Sequence, residues 1–455
     1  MSEIKQEKNS SGFKLVIPFF VVLAVLTVVS FIIPLRPTQS QMEKRNLAEF
    51  PEFSWDALVS GSYFDDITTW YSDTFPGRES WLTLSSNIQS LHGHSEIAIA
   101  GELPVFETVP EIPEPVQIQE APEDSVPAET AADEATETTV PAETQWGGVD
   151  AADDEAIELG DGTIIQIGDA AFNAVGFSQV YSEKYAATLS SFADFAAEYG
   201  VNTISAPAPT AVGILIEPEY LEKLGCADQN ATIQYFHGLM SDNVTKVDTY
   251  AALIDHNDEY IYFRTDHHWT ALGAYYVYEA ICEAMGYEAA PLDSFEEWDQ
   301  GTFEGSLYWK APNHRKLTLD NVMAYIPQGD IETLVTNGKS GGAPADLLVD
   351  TTNRELNTKY LVFLGTDYAL TTVTNNSIPD APSCIVIKDS FGNALVPFLT
   401  QTYHKIYAID YRKFSGPTLR WLIQSYDVDD VIFAPYVIAT QAQDGNQMFA
   451  TRAGK

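Results

Sequence analysis

From residue 160 onward the chain alternates short apolar runs with segments of helical period. GTIIQIGD (162–169) reads as a strand bounded by turn residues, and YAATLSSFADFAAEYG (185–200) sets Leu189, Phe192, Ala196 and Tyr199 at helical spacing ahead of Gly200. VNTISAPAPT (201–210) is a buried strand running into a proline-rich loop, and WTALGAYYVYEAICEAMGY (269–287) is a helix that stops at Gly286. Nearly continuous apolar strands follow at KYLVFLGT (359–366), SCIVIKD (383–389), KIYAID (405–410) and DVIFAPYV (430–437). Helical stretches, NALVPFLTQ and PTLRWLIQSY, come after the second and third of these. Such alternation predicts an α/β domain over 159–445, built on a mostly parallel sheet covered on both faces.

The residues before 160 follow other patterns. Leu15 to Ile33 is a run of 19 uncharged residues, and at a rise of about 1.5 Å per residue it nearly spans a hydrocarbon core of about 30 Å. Lys5, Lys8 and Lys14 precede it, which keeps the N-terminus cytoplasmic. The following PLRPTQSQ offers no small-x-small cleavage site, so the run reads as an uncleaved signal anchor, with a cleaved signal as the alternative. Residues 102–158 hold 17 acidic residues and no Lys or Arg. A segment of that composition cannot bury enough apolar surface to offset its ordering entropy, and it reads as a disordered insertion.

Composition narrows the function classes. Hydrophobic residues make up 45% of the chain, enough for a real core. Acidic residues number 65 against 24 basic ones, for a net charge of −41, which argues against a nucleic-acid partner. Cys226, Cys282 and Cys384 include no CxxC pair and cannot form a disulfide framework.

In open α/β sheets ligands gather where strands run into helices at their carboxyl ends. Asp389-Ser390-Phe391-Gly392-Asn393 is such a turn, following SCIVIK. It can present a serine hydroxyl above the sheet, or it can simply cap the next helix. A second candidate is Thr265-Asp266-His267-His268-Trp269-Thr270, directly before a helix. In extended chain Asp266 and His268 would share a face while His267 points elsewhere. Three readings stay open for it: a carboxylate and imidazole serving a serine nucleophile, helix capping with structural histidines, and an Asp/His metal site that lacks further ligands nearby.

The stretch YFRTDHHWTALGAY (262–275), with KDSFGNA (388–394) downstream, resembles the DHHW family of bacterial extracytoplasmic proteins. The passage 43–81 matches as well, through Arg45, Leu47 and Pro51 and through Asp73, Phe75, Pro76, Gly77 and Arg78. That family is similar to the periplasmic alginate O-acetyltransferases, whose SGNH-hydrolase-like domain is circularly permuted. The resemblance implies a three-layer SGNH-like fold with Ser390 as nucleophile, His268 as general acid/base and Asp266 as its orienter. Lys388 stands where the usual Gly-Asp-Ser block has glycine. The Ser390 N–H is the expected oxyanion donor, with Gly365 and Asn393 as further donors and Arg264 and Trp269 as substrate contacts.

The expected organisation is a cytoplasmic segment (1–14), a transmembrane anchor (15–34), the N-terminal part of the catalytic region (35–101), the acidic insertion (102–158) and the SGNH-like catalytic domain (159–445). The expected function is that of a membrane-anchored O-acetyltransferase of an exopolysaccharide or cell-wall glycopolymer, working through an acyl-serine. Its implied partners are the polysaccharide acceptor, a polytopic membrane acyltransferase that supplies the acyl group, and the membrane itself; no cofactor or metal is expected. A carbohydrate acetylesterase with the same triad, and a non-catalytic glycan-binding or assembly protein, are the alternatives.

Overall fold

A computed structural model describes residues 163–336 and 342–454 without a break, together with 36, 39–40, 45–51, 53–55, 58, 62–75, 97–100 and 107–110. The apolar run 15–33 and nearly all of the acidic segment 102–158 lie outside the described residues. Among the described residues no helix is long and apolar enough to cross a membrane. The chain divides into two compact units, Met1–Gly93 with Asp153–Ala156, and His94–Ala152 with Ile157–Lys455.

In the first unit, β1 (Gln39–Ser40) and β2 (Arg45–Asn46) form a short antiparallel pair. A helix spans Ser62–Asp73. Arg36 donates to Thr74 Oγ1 at 2.8 Å, and its guanidinium lies 4.1 Å from the centroid of Trp70. The arginine thereby ties the strand side of this unit to the end of its helix.

The second unit opens with an antiparallel sheet of β3 (Ile97–Ala100), β4 (Ile164–Ile167) and β5 (Ala170–Asn173). Two strands of the main sheet come next, β6 (Asn202–Ser205) and β7 (Val244–Lys246). They are followed by an antiparallel pair, β8 (Glu296–Phe303) and β9 (Asp320–Ile326). The main sheet is completed by β10 (Ile331–Thr336), β11 (Ala343–Ala345), β12 (Leu370–Asn375), β13 (Ser383–Lys388), β14 (Lys405–Asp410) and β15 (Asp430–Ala434), in the order β11-β10-β12-β14-β13-β15-β6-β7. From β14 to β7 every pairing is parallel, whereas β11, β10 and β12 join antiparallel. The sheet is therefore mixed rather than mostly parallel. At its antiparallel edge β10 and β12 carry threonines and pair over about forty residues, with the short β11 folded back on β10.

The central strands behave as expected of strands buried on both faces: Cys384 to Ile387 and Val431 to Phe433 are each no more than 1% exposed. Phe433 packs against Phe192 of the helix Gln179–Ala197, while Asp430, of opposite parity on β15, accepts from Tyr287 just after the helix Ala271–Met285. Because side chains alternate along a strand, these two helices cover opposite faces of the sheet. The helix Gln179–Ala197 begins earlier than its periodicity suggests, and Tyr199 lies past its end, 48% exposed. Gly200 and Gly286 both take positive φ, as helix-terminating glycines do.

The run 359–366 is not a strand. Leu356–Val362 is a 3-10 helix, followed by Leu364 and Gly365 in the left-handed region. The ammonium of buried Lys359 donates to the carbonyls of Thr351 and Thr352, which binds this turn to the preceding loop instead of to a sheet neighbour.

His237, buried at 5% exposure, pairs through Nε2 with Ser205 Oγ at 3.0 Å. Burial, helped by Lys246, pulls its pKa down to about 3. The folded state thus binds this proton less readily than the unfolded chain, whose histidines titrate at about 6.5. Stability from the neutral imidazole is intact above about pH 6.5 and falls as pH drops towards 3, by a few kcal/mol at most. In urea unfolding across that window, His237→Gln should show a shallower loss than the wild type. Parallel curves would refute this account of the buried imidazole.

Candidate active site

β13 is flanked by β14 on one side and β15 on the other, so successive crossovers leave it in opposite directions and its carboxyl end is the switch point where open α/β sheets bind ligands. Ser390 sits there, as the N-cap residue of the helix Phe391–Leu399. Its side chain makes no capping bond. Asp389 does that work instead, accepting from the Phe391 N–H at 3.0 Å through Oδ1. The other oxygen of Asp389 accepts from the Tyr436 N–H at 2.8 Å and the Tyr411 hydroxyl at 3.1 Å. The serine turn is thereby tied to the neighbouring loops, and the Ser390 hydroxyl is left for another partner.

That partner is His268. Its Nε2 lies 2.7 Å from Ser390 Oγ, and its Nδ1 lies 2.6 Å from Asp266 Oδ1. A carboxylate can only accept, so Nδ1 carries the hydrogen and Nε2 accepts from the serine. Asp266 Oδ1 also accepts from the His268 N–H at 3.0 Å, and its Oδ2 from the Ser306 N–H at 2.8 Å. Burial alone would raise the Asp266 carboxyl. The adjacent histidines and these hydrogen bonds outweigh it and hold the group far below the usual carboxylate range.

Residues 264–268 form a turn rather than a strand. Tyr262 and Trp269 pair across it as an antiparallel bridge. Buried Asp320 closes it by accepting from the N–H groups of Arg264 and Thr265 at 2.7 and 2.8 Å, and from the Thr265 hydroxyl. Gly305 covers the other side, donating to Thr265 Oγ1 at 2.9 Å. A Cβ on Gly305 would press into the Thr265 carbonyl and the Asp266 Cβ. Gly305→Ala should therefore lower stability by about 1–3 kcal/mol. It should also reduce turnover by moving Asp266, as a thermal melt and a kcat measurement would reveal; unchanged values for both would show that the loop yields freely.

Thr270, the last residue of the segment, is the N-cap of the helix Ala271–Met285, so the segment does cap the helix, but neither histidine takes part. Ligating atoms of Asp266, His267 and His268 lie close enough to share an ion. Both nitrogens of His268 and both oxygens of Asp266 are, however, already engaged in the bonds above. His267 does not point away: in the turn its ring lies 3.8 Å from that of His268, and its Nδ1 pairs with Ser306 Oγ at 2.8 Å. Desolvation and the neighbouring His268 lower its pKa.

The remaining expected contacts fall elsewhere. Gly365 ends no strand, and its N–H donates to the Leu361 carbonyl at 3.1 Å, so it is not available to an oxyanion. Asn393 donates through Nδ2 to Asp367 at 2.8 Å and through its backbone N–H to the Ser390 carbonyl at 3.2 Å, as the first turn of the helix requires. Trp269 is fully buried, and its Nε1 donates to the Phe391 carbonyl at 3.0 Å. It pins the segment of His268 to the helix that follows Ser390 and presents no face to a substrate. The Arg264 side chain turns towards Asp169, 3.6 Å away, and the Tyr260 ring. Among the described residues the Ser390 N–H has no protein acceptor, which leaves it free for an oxyanion.

Lys388, at the glycine position, is buried and donates to Asn393 Oδ1. From Asn393 the network passes through Asp367 to Arg412, which also grips Asp410. Sequence reasoning missed Tyr360, Gly305, Ser306 and Asp320. The Gly305-Ser306 pair was a visible turn signal, but nothing local tied it to Asp266.

Related structures agree with this architecture. A DHHW family protein from Eubacterium siraeum is 28% identical, with a TM-score of 0.55 over 63% of this chain and 94% of that one. Bacillus cereus PatB1, solved with a sulfonyl adduct, is 19% identical, with a TM-score of 0.53 over 64% of this chain and 98% of that one. No curated protein sequence matches the chain. A family model described as DHHW protein matches residues 43–126 and 130–409. That match spans most of the sequence, and the chain belongs to the DHHW protein family.

Proposed function

We propose that this protein is a serine-dependent O-acetyltransferase of an exopolysaccharide or cell-wall glycopolymer. In this reading it works outside the cytoplasm, is anchored by residues 15–33, has a permuted SGNH-like catalytic domain and receives its acyl group from a polytopic membrane partner. The observation that carries the reading is the unbroken chain from Asp266 Oδ1 through His268 to Ser390 Oγ, at 2.6 and 2.7 Å. As Ser390 Oγ attacks an acyl carbonyl, Nε2 of His268 takes its proton and the oxyanion rests on the Ser390 N–H. The imidazolium then protonates the leaving group, giving an acyl-serine. A glycan hydroxyl gives its proton to Nε2 as it attacks the acyl carbon; the acyl–Oγ bond then breaks and the imidazolium returns the proton to Ser390 Oγ.

The test is to incubate the full chain in detergent with a chromogenic acetyl ester, or with a sulfonyl fluoride, since PatB1 of the same fold has been solved with a sulfonyl adduct. Turnover and an adduct on Ser390 are expected. The absence of both turnover and adduct would sink the serine-enzyme reading and favour a glycan-binding protein. Acetate release without transfer to any offered glycan would instead make it an esterase.

A further inference from the structure

Tyr360 lies on the 3-10 turn Leu356–Val362, outside the segments that supply Asp266, His268 and Ser390. It nevertheless touches both ends of the central hydrogen bond. Its ring lies flat on the His268 imidazole, with centroids 4.0 Å apart and planes within 10°. Its hydroxyl donates to the Ser390 carbonyl at 2.9 Å. The peptide group between Ser390 and Phe391 is thus held at its oxygen by Tyr360 and at its N–H by Asp389. Phe363 and Phe263 brace the Tyr360 ring edge-on, at 5.2 and 6.2 Å.

From this geometry we infer that Tyr360 is a positioning residue, one side chain that sets the base and the nucleophile at a fixed separation and faces the imidazolium formed as the serine proton moves. The kinetic part of the inference rests on the acyl-serine reading; the rest does not. Two physical effects are combined in it. The grip on the Ser390 peptide and the flat stack fix an Oγ–Nε2 approach that proton transfer needs within a few tenths of an ångström. An aromatic face also attracts the imidazolium more than the neutral ring, and the imidazolium exists only once the serine proton has moved.

The titratable groups against His268 are Asp266 and His267 on its own segment; Lys310 and Arg412 act on His267, and Asp367 and Asp389 act on Tyr360. None of these is altered by changing Tyr360, so a difference between variants isolates the ring. Tyr360→Phe keeps the stack and removes the hydrogen bond; Tyr360→Leu removes both.

The first readout is the Ser390 Oγ to His268 Nε2 separation, 2.7 Å here, in crystal structures of the wild type and both variants. Tyr360→Leu should open it beyond hydrogen-bond reach, past about 3.5 Å, and Tyr360→Phe should leave it in place. The second readout is turnover of a chromogenic acetyl ester. Tyr360→Phe should lower kcat about fivefold with KM unchanged, and Tyr360→Leu about thirtyfold. A folded Tyr360→Leu variant with the Ser390–His268 contact unchanged would overturn the inference, whether or not the protein turns over esters. So would wild-type kcat in both variants of an active enzyme. A wild type without turnover would count against the acyl-serine reading alone, and the measured separation would still decide the role of Tyr360.

Discussion

Ser390→Ala is expected to abolish ester turnover, on the order of 10⁶-fold in kcat, the scale seen when a nucleophile is deleted from a triad that acts as a unit. The reason is local. His268 Nε2 has Ser390 Oγ as its partner at 2.7 Å, and among the described residues no second hydroxyl bonds to that nitrogen. The fold should barely notice the change. Ser390 makes no capping bond, and Asp389 holds the helix N-terminus through the Phe391 N–H. Loss of stability should stay within about 1 kcal/mol. Wild type and variant would be compared by chromogenic ester kinetics, thermal melting and sulfonyl fluoride labelling. A folded variant that kept a tenth of the activity would place the nucleophile elsewhere.

How far these residues can be read from sequence varies with the range of the interactions that place them. The turn Asp389-Ser390-Phe391-Gly392 was readable because β13 is a continuous apolar run that breaks abruptly into polar residues. The pairing of Asp266 with His268 was also readable, but for a reason the structure corrects. Strand alternation would send His267 away, whereas the segment is a turn closed by Asp320 and Gly305, and both imidazoles lie together. The run 359–366 shows the limit most plainly. Apolar runs of that length carry no period that separates a strand from a short helix. The buried hydrogen bonds of Lys359 decide the matter, and their acceptors lie in the preceding loop. Tyr360 was hidden by that misreading, and with it a side chain that touches both His268 and Ser390. The antiparallel edge was missed for a related reason, since the pairing of β10 with β12 depends on residues about forty positions apart rather than on any local pattern.

Asp266→Asn is the second large effect, and here the chemistry of a single proton decides the outcome. The carboxylate accepts on both oxygens: Oδ1 from the His268 N–H and Nδ1–H, Oδ2 from the Ser306 N–H. An amide of the same shape has one acceptor and one donor end. If its oxygen faces His268, its NH₂ meets the Ser306 N–H. If its oxygen faces Ser306, its NH₂ meets the His268 N–H and drives the imidazole to the tautomer with hydrogen on Nε2, which cannot accept the serine proton. Either orientation leaves opposed donors in a buried site, at a cost of about 1–3 kcal/mol in stability. Turnover should fall about 10³–10⁴-fold, mostly in kcat. A pH signature separates this from simple unfolding. The Asp266 carboxyl is held far below its unfolded value of about 4, so its stabilisation is present above that pH and is lost as acid titrates the folded group. Asp266→Asn should therefore be less stable than the wild type at neutral pH, with the gap narrowing in acid. A variant within about tenfold of wild-type kcat would remove Asp266 from the catalytic unit, since a misoriented imidazole costs far more than that.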